Sequence, residues 1–275
     1  MVKRRLDTVL AERGLFPSRS RAAASVMAGE VRVGRGERRA SKPGEMVDAE
    51  EVLAVSERPA FVSRGGIKLA NALDAFGVDV GGRRALDVGA STGGFTDCLL
   101  QRGAREVIAV DVGYGLLDYG LRQDPRVQVL ERTNARGLQA VALPAARSGA
   151  APSELPSLAV IDVSFISLAK VLGAVISCLT DEHDLLALVK PQFEVGRARV
   201  GKGGVVRDAA VRRDALLAAG EAALALGESV VGYRSSGLPG PKGNRETFMW
   251  LAEGTRKSAL RDAAGLDAFA REVEP

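Results

Sequence analysis

The sequence predicts an α/β protein that combines a parallel sheet, an antiparallel hairpin at one edge of that sheet, and a small N-terminal α+β domain. Three observations lead to this prediction. From residue 80 onward, apolar runs typical of strands alternate with helical segments, as they do in parallel sheets. Near the end of the chain, two β runs stand close together, as in an antiparallel pair. Residues 1–60 instead contain two helical patterns followed by short strands.

Composition indicates an ordinary soluble protein. The chain has 275 residues, of which 46% are hydrophobic and 26% are charged. Its start, MVKRRLDTVL, lacks the apolar core of a signal peptide. The longest apolar stretch is interrupted by Asp162 and Lys170, so we expect no membrane span. Cys98 and Cys178 have no metal-type or redox spacing and His183 is the only histidine, so we predict no metal site and a reducing, cytoplasmic location.

The sequence pattern of residues 1–60 predicts a small domain with a basic surface. The runs KRRLDTVLAERG and SRSRAAASVMAG are helical and end at Gly14 and Gly29, with Ser18 or Ser20 as the cap of the second helix. Short strands divided by glycine and proline turns follow in EVRVGRGERRASKPGEMVDAEEVLAV. The first 42 residues hold eleven Lys or Arg and four Asp or Glu, a net charge of +7. This excess favours a polyanionic partner, with nucleic acid first.

Residues 61–275 predict the α/β domain. A helix over SRGGIKLANAL opens this domain, and its apolar face consists of Leu69, Ala72, Leu73 and Phe76. Strands are predicted in RALDVG, EVIAVDVG, VQVLER, LAVIDVSF and LLALVKPQF, with helical segments between most of them. Residues 143–156 have the composition of a flexible surface loop. A long helix, AAVRRDALLAAGEAALALG, precedes the two β runs SVVGYRSSG and ETFMWLAEG.

A glycine-rich turn joins the first strand of this domain to a helix in ALDVGASTGGFTDCLL. Such a turn lets the backbone approach a ligand, and a helix N-terminus favours polar or anionic groups. The dinucleotide fingerprint would need glycine at position 91, where serine stands. The second strand ends in Asp111, where an acid can bind ribose hydroxyls, and Asn134 follows the third strand, where it could meet an adenine edge. This order favours a nucleoside site over a turn made only for packing.

Four charged residues lie at notable positions in the predicted helix and strands of this domain. Lys68 flanks the apolar face of its helix and has no acid three or four residues away. Asp162 and Lys190 end the fourth and fifth strands, and Glu246 lies in the last β run. Taken alone, each residue is most simply explained as a solvated charge. Glu246 is alternatively explained as a charge that keeps an edge strand from pairing with another chain. Together they resemble, in order and position, the Lys-Asp-Lys-Glu tetrad of FtsJ-like ribose 2′-O-methyltransferases.

The chain from about residue 3 to 254 resembles the TlyA family, often labelled haemolysin, in which an alpha-L RNA-binding domain precedes an FtsJ-like methyltransferase. The resemblance is found in SRGGIKL, LDVGASTGGFTD, VIDVSFISL, LVKPQFE and GPKGNRETF, and in the basic hairpin VRVGRGERRASKPG, where GRGE replaces a frequent Asn-Gly. It implies a Rossmann-like methyltransferase fold, S-adenosylmethionine as cofactor, and methylation of cytidine 2′-hydroxyls in ribosomal RNA of the small subunit, the large subunit or both. Ribosomal RNA or ribosomal subunits are the implied partners, and the oligomeric state stays open.

The resemblance also implies roles for individual residues. Lys190 would act as the base, and Lys68 and Glu246 would position it and the hydroxyl. Asp162 would hold the lysine pair near the transferred methyl group. The implied cofactor-binding residues are Asp87, Gly89, Ala90, Ser91, Gly93, Gly94, Phe95, Asp111, Val112, Asn134 and Asp162. The implied RNA-binding residues are Arg4, Arg5, Arg19, Arg21, Arg32, Arg35, Arg38 and Lys42.

Other functions compete with this one. An amino-methylating enzyme would favour an Asn/Asp-Pro-Pro-aromatic run after the fourth strand, where this chain has DVSF. A cytosine-C5 enzyme would need a cysteine near that strand end, whereas Cys98 and Cys178 fall in predicted helices. A pore-forming haemolysin would need a spanning helix or serial alternating strands, and the sequence contains neither. The complete tetrad argues against an RNA-binding module that binds S-adenosylmethionine without catalysis.

Overall fold

A computed structural model describes residues 3–28, 30–36, 38–55, 60–146, 154–240, 242–256 and 263–274. The chain divides into two compact units, Met1–Pro59 and Ala60–Pro275. Two sequence-based predictions fall partly outside the described residues: Gly29 as the end of the second helix, and the centre of the loop over 143–156.

The described residues of the N-terminal unit form two helices and five short strands. These are β1 Lys3–Arg5, α1 Leu6–Glu12, α2 Arg19–Ala28, β2 Val31–Val33, β3 Arg38–Arg39, β4 Met46–Asp48 and β5 Leu53–Val55. Strand β1 pairs antiparallel with β4, and β2 lies between β3 and β5. Buried side chains from both helices and from the strands, including Leu6, Leu10 and Val31, form the core. The hydroxyl of Ser18 accepts a hydrogen bond from the backbone N–H of Arg21, as expected of a cap.

One boundary in this unit differs from the prediction. The run KRRLDTVLAERG was predicted to be helical from its first residue, but Lys3–Arg5 is a strand. Arg4 pairs with Val47, and the N–H of Leu6 donates to the carbonyl of Glu45 at 2.8 Å. Because these backbone groups find partners in the sheet, the helix begins only at Leu6.

The second unit contains one seven-stranded sheet with helices on both faces. Its elements are α3 Arg64–Phe76, β6 Arg84–Val88, α4 Gly94–Gln101, β7 Glu106–Val110, α5 Tyr119–Gln123, β8 Val127–Leu130, β9 Leu158–Ile161, α6 Leu172–Ile176, β10 Asp184–Val189, α7 Pro191–Glu194, α8 Ala209–Ala225, β11 Ser229–Ser235, β12 Thr247–Ala252 and α9 Ala263–Val273. The strand order is β11-β12-β10-β9-β6-β7-β8. Strands β10, β9, β6, β7 and β8 are parallel, and β12 is antiparallel to both of its neighbours. The predicted α/β fold with an antiparallel hairpin at one edge is confirmed.

The sheet is covered on both faces, and this explains its apolar central strands. All residues of β6, β7, β9 and β10 are buried, as expected for strands that lie between two layers of helices. Leu86 and Ile161 contribute to the core on the side of α6, α8 and α9. Leu158 contributes to the opposite core, together with Leu69 and Leu73 from the predicted apolar face of α3. No helix among the described residues is long and apolar enough to cross a bilayer.

The order of the strands places the site. Strand β6 lies between β7 and β9, so the chain leaves β6 toward one side of the sheet and returns on the other. In open α/β sheets, ligands bind outside the carboxyl ends of the strands at such a reversal. The segments that follow β6, β7, β9 and β10 meet there.

Candidate active site

The glycine loop between β6 and α4 is held against the loop that follows β9. Gly89 has a φ of +89°, and a Cβ atom there would lie 2.5 Å from the carbonyl oxygen of Asp162. Glycine is therefore required for this close approach of two backbones. Ser91 has a φ of +48° without being glycine. Its N–H donates to the carboxylate of Asp111 at 2.8 Å.

Asp111 is fixed at the end of β7 by two backbone donors. The first is the N–H of Ser91, and the second is the N–H of Gly113, which donates at 2.6 Å. Asp111 lines a cavity of about 430 Å³, which we call the glycine-loop cavity. Of the predicted cofactor residues, this cavity is lined by Gly89, Ser91, Asp111, Val112, Asn134 and Asp162. Its size is in the range of small-molecule sites.

Asn134 lies at the rim of this cavity, where its backbone starts a short 3-10 helix. Its side chain accepts a hydrogen bond from the N–H of Arg136 at 3.1 Å and is exposed. The two N–H donors of its amide group have no protein partner in the described part of the chain, and the residue lines the cavity. The position is therefore compatible with the predicted contact to a nucleobase edge.

Two predicted cofactor residues lie away from the cavities. Asp87 is fully buried in β6, where the hydroxyl of Thr96 donates to it at 2.6 Å. Burial raises the pKa of Asp87 to about 7, and the Thr96 hydrogen bond opposes this shift. Gly93 faces Leu121, since a Cβ there would lie 2.4 Å from that side chain. Neither residue lines any of the cavities described here, and both lie beneath the loop, so their predicted role in cofactor binding stays a prediction.

The four tetrad residues come together as two ion pairs. The ammonium group of Lys68, on α3, pairs with the carboxylate of Glu246. That of Lys190, which follows β10, lies 2.5 Å from the carboxylate of Asp162, which follows β9. Lys68 is 7% exposed, Lys190 9% and Glu246 2%, so none is a solvated charge. All four line a second cavity of about 380 Å³, the lysine cavity.

The pairing differs in detail from the prediction. Asp162 was expected to hold both lysines, but in the described part of the chain it pairs with Lys190, and Glu246 pairs with Lys68. Glu246 was expected within the last β run, but it immediately precedes β12. Because β12 has a neighbour on each side, Glu246 does not guard an edge strand.

The lysine cavity adjoins the glycine-loop cavity. Both are lined by Gly89, Ser91 and Asp162. The predicted cofactor residues Ala90, Gly94 and Phe95 line the lysine cavity. A bound nucleoside and the two lysines would therefore share one wall of the site.

A third cavity adjoins Lys190 and Glu246 and was missed by sequence reasoning. It measures about 310 Å³ and is also lined by Ser164 and Phe165. We call it the Phe165 cavity. Phe165 is 91% exposed and has a φ of +66°, which is uncommon for an aromatic residue. The sequence signal that could have found this cavity is position, because Ser164 and Phe165 closely follow Asp162 in the segment DVSF.

The predicted RNA-binding residues of the N-terminal unit fall into two groups. Arg4, Arg5, Arg19 and Arg38 form ion pairs with acidic residues of the same unit. The remaining ones, Arg21, Arg32, Arg35 and Lys42, make no ion pair with any residue that the structure describes. Arg32 is half-buried, and the other seven are exposed.

The cysteines and the histidine lie apart from these cavities. Burial raises the pKa of the Cys98 thiol, in α4, to about 12. Cys178 was predicted to be helical but lies in the turn after α6, and burial also raises its pKa. His183 is buried against Glu228. Among the described residues, no group of three His, Cys, Asp or Glu could hold a metal ion.

The chain is similar to known proteins over nearly its whole length. Residues 61–253 match the FtsJ-like methyltransferase family, and residues 4–53 match the S4 domain. A Mycobacterium tuberculosis protein named 16S/23S rRNA (cytidine-2′-O)-methyltransferase TlyA is 50% identical over 98% of this chain and 97% of its own. Hemolysin A of Brachyspira hyodysenteriae is 39% identical over 88% of this chain and 97% of its own. A solved structure described as a hemolysin from Streptococcus thermophilus is 39% identical, covers 99% of this chain and 96% of its own, and has a TM-score of 0.71.

Proposed function

Since the chain belongs to the FtsJ-like methyltransferase family, we propose that it transfers a methyl group from S-adenosylmethionine to the ribose 2′-hydroxyl of cytidine in ribosomal RNA. The observation that carries this proposal is the arrangement of Lys68, Glu246, Asp162 and Lys190 as two ion pairs around one cavity. That cavity adjoins a second one with the features of a nucleoside site. The sequence identity with an rRNA (cytidine-2′-O)-methyltransferase supports the nucleotide and the reaction.

The glycine-loop cavity has the donors and acceptors that S-adenosylmethionine requires. Asp111 is held in place by two N–H groups, and a carboxylate has further lone pairs for the hydroxyls of a ribose. Asn134 offers an amide to an adenine edge, and Val112 adds apolar surface. When bound, the cofactor supplies an electrophilic methyl group on a positively charged sulfur. The carboxylate of Asp162, which lines both cavities, suits a cationic neighbour.

Lys190 is the group best placed to take the proton of the ribose hydroxyl. A hydroxyl is a weak nucleophile and must lose its proton as its oxygen attacks. The amino group of Lys190 lies in the wall of the lysine cavity and can accept that proton once neutral. Asp162 holds this amino group at 2.5 Å. Lys68, fixed by Glu246, presents a second cation to the oxygen on which negative charge develops.

The N-terminal unit contributes RNA affinity in this proposal. It matches the S4 domain, and its first 42 residues carry the net charge of +7 counted from the sequence. Basic side chains bind phosphates without reading bases, so this unit holds the RNA, and the second unit does the chemistry. Ribosomal RNA is made and assembled in the cytoplasm, where we place the reaction.

Transfer of a labelled methyl group tests the function directly. The purified chain is incubated with methyl-labelled S-adenosylmethionine and either free ribosomal RNA or intact subunits that lack the modification, and the RNA is digested to nucleosides. We expect label in 2′-O-methylcytidine. Label in a base-methylated nucleoside would assign a different methyl-transfer chemistry. Binding of both partners without transfer would show a non-catalytic RNA-binding module.

A further inference from the structure

The amino group of Lys190 has two oxygen partners rather than the one that the tetrad provides. It lies 2.5 Å from Oδ1 of Asp162 and 2.9 Å from the hydroxyl of Ser164, to which it donates a hydrogen bond. The contact with Asp162 is an ion pair, and Oδ1 of Asp162 has no hydrogen-bond partner among the residues that the structure describes. The directed interaction of the amino group is therefore with Ser164.

We propose that Ser164 is a positioning residue for methyl transfer: its hydroxyl orients the amino group of Lys190 so that the nitrogen lone pair faces the ribose hydroxyl. This inference rests on the proposed function. A neutral amine keeps two N–H bonds and one lone pair. The charge of Asp162 attracts the nitrogen but does not fix the rotation of the amino group about its C–N bond. A hydrogen-bond acceptor, in contrast, fixes the direction of one N–H bond. Ser164 thus limits the directions in which the lone pair can point.

The position of Ser164 suits this role. Lys190 is 9% exposed, so few water molecules can replace a lost acceptor. Ser164 is exposed and lines both the glycine-loop cavity and the Phe165 cavity, while Lys190 lines the lysine cavity and the Phe165 cavity. The hydroxyl therefore lies between the glycine-loop cavity and the Phe165 cavity, beside an amino group that also lines the lysine cavity.

The loop that carries Ser164 is anchored to the segment that carries Lys190. Glu194, in α7, accepts hydrogen bonds from the hydroxyl of Ser167 at 2.6 Å and from the N–H of Leu168 at 3.0 Å. Helix α7 begins directly after Lys190. At the other end of the loop, the N–H of Asp162 donates to the carbonyl of Val88 in β6 at 2.9 Å. The distance between Ser164 and Lys190 is thus held by both ends of the loop.

The backbone next to Ser164 has a conformation that points to a functional constraint. Phe165 adopts the left-handed region, with a φ of +66°. A non-glycine residue enters this region at a cost and does so mainly where the surroundings require a particular direction of the chain. Here the turn occurs immediately after Ser164, whose hydroxyl shares Lys190 with the carboxylate of Asp162.

The test compares Ser164→Ala and Ser164→Thr with the wild type in single-turnover methyl transfer to ribosomal RNA over a range of pH. We expect Ser164→Ala to lower the rate about 10- to 100-fold, as for loss of a hydrogen bond to a charged group. A hydroxyl that accepts from an ammonium group stabilises the charged form, so its removal should also move the pH midpoint of the rate to lower pH. Ser164→Thr keeps a hydroxyl and should restore most of the rate and the midpoint.

Ser177→Ala is the matched control, because Ser177 is exposed and, within the described residues, its hydroxyl donates only to the carbonyl of Ala174. It should leave rate and midpoint unchanged, and all variants are compared at saturating S-adenosylmethionine, because Ser164 also lines the glycine-loop cavity. A wild-type rate and midpoint in Ser164→Ala would overturn the positioning role. An equal loss in Ser164→Ala and Ser164→Thr with an unmoved midpoint would also overturn it. A wild type that transfers no methyl group would instead overturn the proposed function, and this inference with it.

Discussion

Lys68 and Glu246 form a buried ion pair although 178 positions separate them in the chain. The pair joins the first turns of α3 to the residue before β12. Replacing a buried pair by apolar side chains is often tolerated, whereas removing one partner leaves an uncompensated charge and costs about 3–5 kcal/mol. This asymmetry separates the contribution of the pair to folding from its contribution to chemistry.

We expect Glu246→Ala to lower the free energy of unfolding by about 3 kcal/mol, because Lys68 is left buried and unpaired. The double variant Lys68→Met with Glu246→Leu should recover most of that loss and still transfer no methyl group. Glu246→Gln can still accept a hydrogen bond, so it should lower the free energy of unfolding and the transfer rate less than Glu246→Ala does. Denaturant unfolding and single-turnover transfer measure the two properties. Methyl transfer at the wild-type rate by the double variant would assign the pair to folding alone.

Asp111 should control binding of the cofactor. Asp111→Ala removes the carboxylate that Ser91 and Gly113 hold at the glycine-loop cavity. We expect at least about tenfold weaker binding of S-adenosylmethionine by calorimetry, as for the loss of a charged hydrogen-bond partner. Asp124→Ala, which removes an acid that pairs with Arg126 and lines none of the three cavities, is the control. Equal affinities in the two variants would place the ribose elsewhere.

The unpaired basic residues of the N-terminal unit should matter more for RNA binding than the paired ones. Arg21 and Arg35 have no ion-pair partner in the described part of the chain, whereas Arg4 pairs with Glu12. We expect Arg21→Ala and Arg35→Ala each to weaken binding of ribosomal RNA and to reduce the salt slope by about 1, with cofactor affinity unchanged. Arg4→Ala should have a smaller effect. RNA affinity that is independent of salt would contradict this account of the unit.

Asp87 should make the stability of the protein depend on pH. Burial raises the pKa of this carboxyl from 3.8 to about 7. The folded state therefore holds the proton more tightly than the unfolded state, so stability falls as pH rises between these values and levels off above them. The full change corresponds to on the order of 4 kcal/mol.

Asp87→Asn removes this titration. Relative to the wild type, its stability should rise steadily from pH 4 to pH 7, as measured by denaturant unfolding at several pH values. Asp181→Asn, at an exposed position, serves as the control and should follow the wild-type curve. Parallel curves for Asp87→Asn and the wild type would show that Asp87 has the same pKa in the folded and unfolded states, which contradicts this prediction.

Much of the fold could be predicted from sequence because local patterns determine it. The apolar runs of β6 to β10 and the apolar face of α3 each show their structure within a few residues. The error at Lys3–Arg5 has a non-local cause, since the partner strand lies some 40 residues later in the chain.

The site could be predicted only in part. Lys68 has no acid nearby in sequence, so its pairing with Glu246 follows from the closure of the sheet and not from local spacing. The glycine-rich turn in ALDVGASTGGFTDCLL drew attention to the loop but did not separate residues that line a cavity from those beneath, such as Asp87. Ser164 carries no sequence signal of its own, because its importance depends on its 2.9 Å contact with Lys190.

The most direct measurement is single-turnover methyl transfer to ribosomal RNA by variants of Lys190, with cofactor binding checked for each. Lys190→Ala should lower the rate about 100-fold or more while cofactor affinity is kept. Lys190→Arg should not restore the rate, because it keeps the charge but cannot lose its proton. Lys170→Ala, at an exposed lysine outside the three cavities, should behave as the wild type. A near-normal rate in Lys190→Ala or Lys190→Arg would contradict the assignment of Lys190 as the group that takes the proton of the ribose hydroxyl.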